Sequence, residues 1–278
     1  YLEGMAGLWC TALGYGNEEV IEVAERQMRE LSFSHMFGGK THASAIELAD
    51  KLAAMVPIQD GRVFLGNSGS DANDTLLKLI RYHAEASGQP NRFKVIAREQ
   101  GYHGVTLAAA ALTAIPTNHA HFQLPFEALG VLRTGSAHYY RGANEGETEA
   151  DFVARRAEEL EALILAEGPD TIAAMIAEPV SGAGGVIVPP KGYFEAIQTV
   201  LDRYGIWLWD DEVICGFGRL GTDFGANKVG MRPQMMTLAK ALLAALVKAG
   251  RDRRRGGAGG AGARRRAGGW NHSTARGS

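Results

Sequence analysis

Ile206-Trp207-Leu208-Trp209-Asp210-Asp211-Glu212 is the stretch that decides the fold, because four apolar residues run directly into three acids. A short apolar run rich in Ile and Trp predicts a buried strand. Three crowded carboxyls at its end should have raised pKa values unless a cation lies nearby. We therefore expect a cationic partner there, a metal ion or a protonated ring nitrogen, or else a plain solvated strand end. With no His cluster nearby, a metal is disfavoured.

On both sides of this run, apolar strands alternate with amphipathic helices. Strands are predicted at Arg62–Leu65, Phe93–Ala97, Thr171–Ala177, Ile206–Trp209 and Met235–Leu238. Helices are predicted at Asn17–Leu31, Ala43–Met55, Ser70–Ala86, Glu147–Ala166 and Tyr193–Arg203. The alternation predicts an α/β domain with a largely parallel sheet flanked by helices. Ligands of such folds collect at the carboxyl ends of the strands.

The segment Asn67-Ser68-Gly69-Ser70-Asp71-Ala72-Asn73 joins a predicted strand to a predicted helix. Its small residues permit close backbone approach, and the free amides of a helix N-terminus favour an anion, most often phosphate. The hydroxyls of Ser68 and Ser70 add donors. The alternative is an ordinary helix cap, with Ser70 as the capping residue and Asp71 in the first turn.

Two further segments follow predicted strands and suit a planar, reactive ligand. Gly101-Tyr102-His103-Gly104 places an aromatic ring that could stack on such a ligand, although a structural turn tyrosine explains it equally. Lys240 ends the run Thr237-Leu238-Ala239-Lys240. This lysine is either solvated or desolvated, and the desolvated state suits Schiff-base chemistry.

Composition limits the possible classes of protein. The 278 residues suffice for one sizeable domain or one and a half. No run of about 18 apolar residues predicts a membrane span, and the first ten residues lack the pattern of a signal peptide. The only two cysteines, Cys10 and Cys215, are far apart, which fits a reducing compartment. We expect a cytoplasmic protein with no membrane partner.

The charge is divided unevenly along the chain. Residues 248–278 contain nine Lys or Arg and one Asp, whereas the rest carries 20 basic and 30 acidic residues. The basic tail has no apolar periodicity, and we expect it to be disordered. Our hypothesis is that it is GC-rich coding sequence read in a shifted frame. A nucleic-acid-binding tail is the alternative, disfavoured because Trp270 is its lone aromatic residue.

Six stretches together resemble the class III, or omega, aminotransferases, which are fold type I enzymes dependent on pyridoxal 5'-phosphate (PLP). The stretches are Ala6–Trp9, Asn67–Ser70, Tyr102–Gly104, Glu178–Gly185, Asp211–Arg219 and Lys240. They occur in the family's order and at compatible intervals over about residues 1–243. The segment Gly7-Leu8-Trp9-Cys10 leans toward the omega-amino acid or amine:pyruvate transaminases.

The resemblance implies a role for each residue of the site. The implied catalytic pair is Lys240, which would hold PLP covalently, and Asp211, which would pair with its ring nitrogen. The other implied cofactor-binding residues are Ser68, Gly69 and Ser70 at the phosphate, Tyr102 and Val213 on the two ring faces, and His103 and Glu178 close by. The implied substrate pocket contains Trp9, Phe33 and Phe37. No metal is implied.

The resemblance also implies a domain plan. Residues 1–40 would be an N-terminal segment of the small domain and pocket wall, 41–245 an incomplete PLP-binding large domain, and 246–278 an aberrant or disordered tail. Family members continue past the position of Lys240 into a C-terminal small domain. That part supplies a substrate-binding arginine and a phosphate contact across a homodimer interface. Because an initiator Met is also lacking, we expect a fragment truncated at both ends and inactive alone.

The implied reaction is transamination of an omega-amino acid or amine, with a keto acid such as pyruvate as acceptor. An aminomutase or another PLP reaction on the same fold is the alternative, because the lysine and aspartate serve any PLP chemistry. Two positions depart from the family pattern. Asp71 stands where Glu is usual, and Gln234 stands where Asp is usual.

Overall fold

A five-stranded parallel sheet forms the centre of the computed structural model, which describes residues 1–242. Its strands are β1 (Lys94–Arg98), β2 (Val131–Thr134), β3 (Ile172–Ala177), β4 (Trp207–Asp211) and β5 (Met235–Thr237). The spatial order is β2-β1-β3-β4-β5, and every neighbouring pair is parallel. The predicted α/β class with a largely parallel sheet is confirmed.

Helices connect the strands because parallel neighbours require a crossover. They are α1 (Glu18–Leu31), α2 (Ala43–Met55), α3 (Gly69–Ala86), α4 (Leu107–Leu112), α5 (Glu149–Glu167), α6 (Tyr193–Arg203) and α7 (Gly225–Val229). Shorter helical turns lie at Ala6–Trp9, Phe126–Leu129 and Tyr139–Gly142, with 3-10 turns at Pro116–Asn118 and Pro169–Thr171. The five predicted helices are confirmed to within two residues at each end.

The core lies on both faces of the sheet. All six residues of β3 are buried, as expected for a central strand covered on both sides. On one face the sheet packs against α5 and α6, through residues such as Leu160 and Ile197. On the other face it packs against α3, where Leu77 and Ile80 belong to the same buried cluster as Ile176 and Trp209. The sheet is thereby covered by helices on both faces.

Three local predictions were wrong or incomplete. Arg62–Leu65 is not a strand, since no described strand lies beside it to complete a hydrogen-bonded ladder. The helix α4 was missed because Leu-Ala-Ala-Ala-Ala-Leu is apolar throughout and shows no polar period. The edge strand β2 was missed because it has only four residues, three of them half-buried.

Among residues 1–242, no helix combines the length and apolar character needed to cross a bilayer. The predicted disorder of the Arg/Gly/Ala tail and the boundaries proposed at 245 and 246 lie outside the described residues. The frameshift hypothesis and the nucleic-acid alternative for that tail stay predictions.

Candidate active site

The carboxyl ends of the strands open into one large cavity of about 920 Å³. Its walls include every residue that the sequence assigned to the cofactor: Ser68, Gly69, Ser70, Tyr102, His103, Glu178, Asp211, Val213 and Lys240. The volume lies in the range of small-molecule sites. The topology therefore gathers side chains that are up to 172 positions apart in sequence at one sheet edge.

The N-terminus of α3 faces this cavity and is shaped by Ser68. Ser68 is the helix N-cap, since its hydroxyl accepts the Asp71 N–H at 3.1 Å. The alternative prediction of Ser70 as the capping residue was wrong. The hydroxyl of Ser70 instead accepts the Val105 N–H at 3.0 Å. Because each hydroxyl uses only a lone pair in these bonds, both O–H groups stay available to donate to an anion.

Two glycines bring neighbouring chain segments into close contact here. A Cβ at Gly69 would lie 2.9 Å from Cγ2 of Val213, so only glycine lets the helix start approach the loop after β4. Gly104 has a φ of +132°, and a Cβ there would collide with the Ser70 hydroxyl. The helix N-terminus and the loop after β1 are thus held against each other without intervening side chains.

Asp211 ends β4 and accepts hydrogen bonds through both carboxylate oxygens. Val213 N–H donates to its Oδ1 at 3.1 Å. The amide of Asn73 donates to its Oδ2 at 3.1 Å, and Nδ1 of His103 lies 2.8 Å from the same oxygen. Three donors around one buried carboxylate fix its orientation and compensate for its burial.

His103 lies behind this carboxylate. Its side chain is 1% exposed, and its backbone N–H donates to the Thr113 hydroxyl at 2.8 Å. Nε2 has no hydrogen-bond partner among the described residues. Because Nδ1 faces the Asp211 carboxylate, it is the ring nitrogen that donates a proton there, whereas Nε2 is unpartnered within residues 1–242.

Glu178 closes the cavity from the end of β3. Its carboxylate accepts the N–H groups of Tyr102 at 3.1 Å and Gly182 at 2.9 Å. Burial raises the pKa of Glu178, while His103 opposes that shift and the charge of Asp211 adds to it. Glu178 thereby positions Tyr102, whose half-buried ring lines the cavity.

The two acids that flank Asp211 have raised pKa values, as the sequence predicts, but the main cause is burial and not the crowding of carboxyls. Burial raises the pKa of Asp210 well above its usual range, and the neighbouring Glu212 raises it further. Burial also raises the pKa of Glu212, against the effect of the Ala226 N–H that it accepts at 2.6 Å. Neither oxygen of Asp210 meets a donor among the described residues.

Lys240 follows β5 with a backbone φ of +47°, in the left-handed region that few side chains adopt. Its ammonium nitrogen lies 5.7 Å from the centroid of the Trp9 ring, within reach of a cation–π contact. Strained residues of this kind concentrate at functional sites. The structure thus brings the predicted pocket residue Trp9 to the predicted catalytic lysine, across more than 200 residues of sequence.

Although Trp9 approaches Lys240, the lining of this cavity in the described chain includes none of the three predicted pocket residues, Trp9, Phe33 and Phe37. Phe33 and Phe37 are 80% and 85% exposed. Their assignment to the substrate pocket stays a prediction. Among the residues that the structure describes, no group of three or more His, Cys, Asp and Glu side chains could hold a metal ion.

The two departures from the family pattern each have a local explanation. Asp71 accepts the Asn67 N–H at 2.8 Å and so closes the turn before α3 with a shorter side chain than Glu. Gln234 pairs with the start of β4, because its Oε1 accepts the Leu208 N–H at 2.7 Å. Both residues therefore shape backbone beside the cavity.

Sequence reasoning missed Asn73, which is fully buried at the contact with Asp211. It belongs to the buried stripe of α3 that continues through Leu77, Ile80 and Ala84. The sequence could have revealed it, because Asn73 is a polar residue on an otherwise apolar face of a predicted helix. A buried amide at such a position needs specific hydrogen-bond partners.

Comparison with known proteins points in the same direction. The family model described as aminotransferase class-III matches residues 1–250. A mitochondrial gamma aminobutyrate transaminase 1 of Solanum lycopersicum is 49% identical over 251 residues, which are 90% of this chain and 48% of the relative. A diaminobutyrate–2-oxoglutarate transaminase of Halomonas elongata is 44% identical over 88% of this chain and 52% of its own length.

Solved structures agree with these relatives. The omega transaminase of Pseudomonas jessenii in complex with PMP superposes with a TM-score of 0.85 and 51% identity, over 87% of this chain and 53% of that chain. The fold is therefore the fold type I large domain that the sequence predicts. This chain spans about half the length of the relatives that it matches.

Proposed function

Because this chain belongs to the class-III aminotransferase family, we propose that it is the cofactor-binding half of a transaminase. The family depends on PLP, and PLP is the cofactor that we assign to the cavity. The proposed donor is an omega-amino acid or an amine, and the proposed acceptor is a keto acid such as pyruvate. The donor class rests on relatives named for gamma-aminobutyrate and on omega transaminases of the same fold.

One observation carries the proposal. The Lys240 amine, the Asp211 carboxylate and the N-terminus of α3 all line the same cavity. These are an amine, an anion and an anion-binding helix end, which complement an aldehyde, a protonated ring nitrogen and a phosphate. Ser68, Gly69 and Ser70 at the helix start all belong to the wall of this cavity.

PLP, when bound, supplies an electron sink for the carbanion formed at the substrate carbon. The residues of this chain would orient the cofactor and transfer the proton. Asp211 offers a negative charge that its three donors hold in one orientation. The helix N-terminus and the hydroxyls of Ser68 and Ser70 would hold its phosphate. The Lys240 amine is the base that can take a proton from the substrate carbon and return it.

The experiment is the visible absorption spectrum of the purified 278-residue chain mixed with PLP, beside its Lys240→Ala variant. We expect a band with the unaltered chain and none with the variant. Lys228→Ala is the matched control, because Lys228 lies on the short helix α7 and does not line the cavity. Identical spectra for the unaltered chain and the Lys240 variant would overturn the proposal for this chain.

A spectrum of products separates transamination from an aminomutase or another PLP reaction. We expect no turnover by this chain alone. The resemblance places a substrate-binding arginine in the part of the family's sequence that this chain does not cover. Measured turnover with an amine donor and pyruvate would contradict that expectation.

We further propose a homodimer as the working state of the intact enzyme and the cytoplasm as its location. The exposed side chains of Phe33 and Phe37 support an interface on the N-terminal segment. The free thiols of Cys10 and Cys215 support a reducing compartment. Sedimentation of the intact enzyme tests the dimer, and a tagged version followed by microscopy tests the location.

A further inference from the structure

A buried run of hydrogen bonds connects Trp209 to Asp211 by way of two polar side chains. The indole N–H of Trp209 donates to the Thr237 hydroxyl at 2.9 Å, and that hydroxyl donates to Oδ1 of Asn73 at 2.7 Å. The amide nitrogen of Asn73 then donates to Oδ2 of Asp211 at 3.1 Å. All four residues are at most 2% exposed, so water does not compete for these bonds.

The chemistry of the side chains fixes which atom donates and which accepts in each of these hydrogen bonds. An indole nitrogen can only donate, so the Thr237 oxygen accepts from Trp209 and gives its own proton to Asn73. The amide of Asn73 must then present its oxygen to Thr237 and its nitrogen to Asp211. The backbone oxygen of His103 also accepts from that nitrogen at 2.6 Å, which excludes a flipped amide.

We propose that Asn73 is a positioning residue that acts through Asp211. It keeps a donor pointed at Oδ2, so that the carboxylate stays an acceptor and a full negative charge toward the cavity. Asn73 also belongs to α3, whose N-terminus lines the same cavity, and it therefore ties the proposed phosphate site to the proposed ring-nitrogen site. This inference rests on the proposed function.

A merely structural role would predict loss of stability alone. A positioning role predicts a change at the ring nitrogen of bound PLP, because the partner of that nitrogen loses its fixed donor. Asn73→Asp is the sharpest variant, since it replaces the donating nitrogen with an oxygen of the same size. Two carboxylates so close then share one proton, which leaves Asp211 without its full charge.

The experiment compares Asn73→Asp, Thr237→Val and Trp209→Phe with the unaltered chain and with Asn91→Asp. Asn91 is an exposed asparagine at the other end of the sheet, before β1. Each chain is titrated with PLP carrying a 15N-labelled ring nitrogen. The dissociation constant and the 15N chemical shift are both measured, and thermal unfolding of the cofactor-free chain monitors folding.

We expect Asn73→Asp to weaken PLP binding about tenfold or more, as for loss of a buried hydrogen bond to a charge. The 15N shift should move from the pyridinium toward the neutral pyridine. Thr237→Val should have a smaller effect of the same kind, Trp209→Phe a smaller one still, and Asn91→Asp none. An unchanged 15N shift and binding within threefold for both Asn73→Asp and Thr237→Val would overturn the inference.

Two further arms keep the result interpretable. If Asn73→Asp does not fold, the nearly isosteric Thr237→Val carries the test with the same measurements. If the unaltered chain binds no PLP, the proposed function of this chain fails, and the run is tested in the cofactor-free protein. There the imidazole N–H of His103, bonded to Asp211, should shift in the proton NMR spectrum of Thr237→Val. An unmoved signal would overturn the inference.

Discussion

The sheet and residues 1–65 contain similar apolar side chains but bury them very differently. In β3 every residue is buried, and Ile176 is wholly inaccessible. In residues 1–65 the buried apolar side chains are Val23, Ala45, Leu48 and Leu52. Three phenylalanines of that segment, at 33, 37 and 64, are between 66% and 85% exposed. Apolar character alone therefore does not decide burial; a facing surface does.

Helix α1 illustrates the difference. Its sequence predicts one apolar face, yet Ile21, Met28 and Leu31 are exposed, and Val23 is its buried residue. An amphipathic helix is stabilised mainly by packing its apolar face on another element. Exposed faces of this extent are typical of protein interfaces, in keeping with the homodimer that we propose.

The largest expected effect comes from making the same substitution in both regions. Ile176→Ala should lower the free energy of unfolding by about 2–5 kcal/mol, because it leaves a cavity between β3 and α3. Ile21→Ala should change it by about 0.5 kcal/mol or less, because Ile21 is 49% exposed on a helix surface. Urea unfolding measures both. Equal losses would show that the two regions share one core.

An intermediate effect is expected from the buried acid of β4. Burial raises the pKa of Asp210, so its carboxyl holds a proton in the folded state at pH values where the unfolded chain has released it. Its contribution to stability is complete below the unfolded pKa of about 3.9 and is lost as pH rises toward the folded pKa. At alkaline pH we therefore expect Asp210→Asn to be more stable than the unaltered chain, because its amide never carries a charge.

Thermal unfolding between pH 5 and pH 9 checks this expectation, with Asp50→Asn as the matched control. Asp50 is exposed on α2, so its substitution should leave the pH dependence unchanged. A steeper loss of stability with pH in Asp210→Asn would contradict the argument.

The sheet and residues 1–65 also differ in how well local sequence predicts their structure. The strand before Asp211 was predictable because an apolar run directly precedes the acids, and ladder pairing then places its end beside β3 and β5. The segment Arg62–Leu65 has the same kind of local pattern, yet it is not a strand. A strand depends on a neighbour, and local sequence does not report whether that neighbour is present.

The candidate site shows the same limit. Motif resemblance placed Lys240 and Asp211 in one cavity, where the structure also places them. It did not predict that Asn73 and His103 would both contact Oδ2 of Asp211, because those contacts join helix α3, the loop after β1 and the end of β4, which meet only in the folded chain. Pairwise contacts of this kind depend on strand order and register, which local patterns leave undetermined.

The smallest expected effect on stability comes from Phe37→Ser. Phe37 is 85% exposed, so its loss should change the free energy of unfolding by about 0.5 kcal/mol or less. If the exposed aromatic residues of the N-terminal segment form an interface, the same variant should nevertheless reduce self-association in light scattering. Phe122→Ser is the control, because Phe122 is 63% exposed but belongs to the loop before β2. An equal decrease for both variants would mean that exposed apolar area in general, and not the N-terminal segment, drives association.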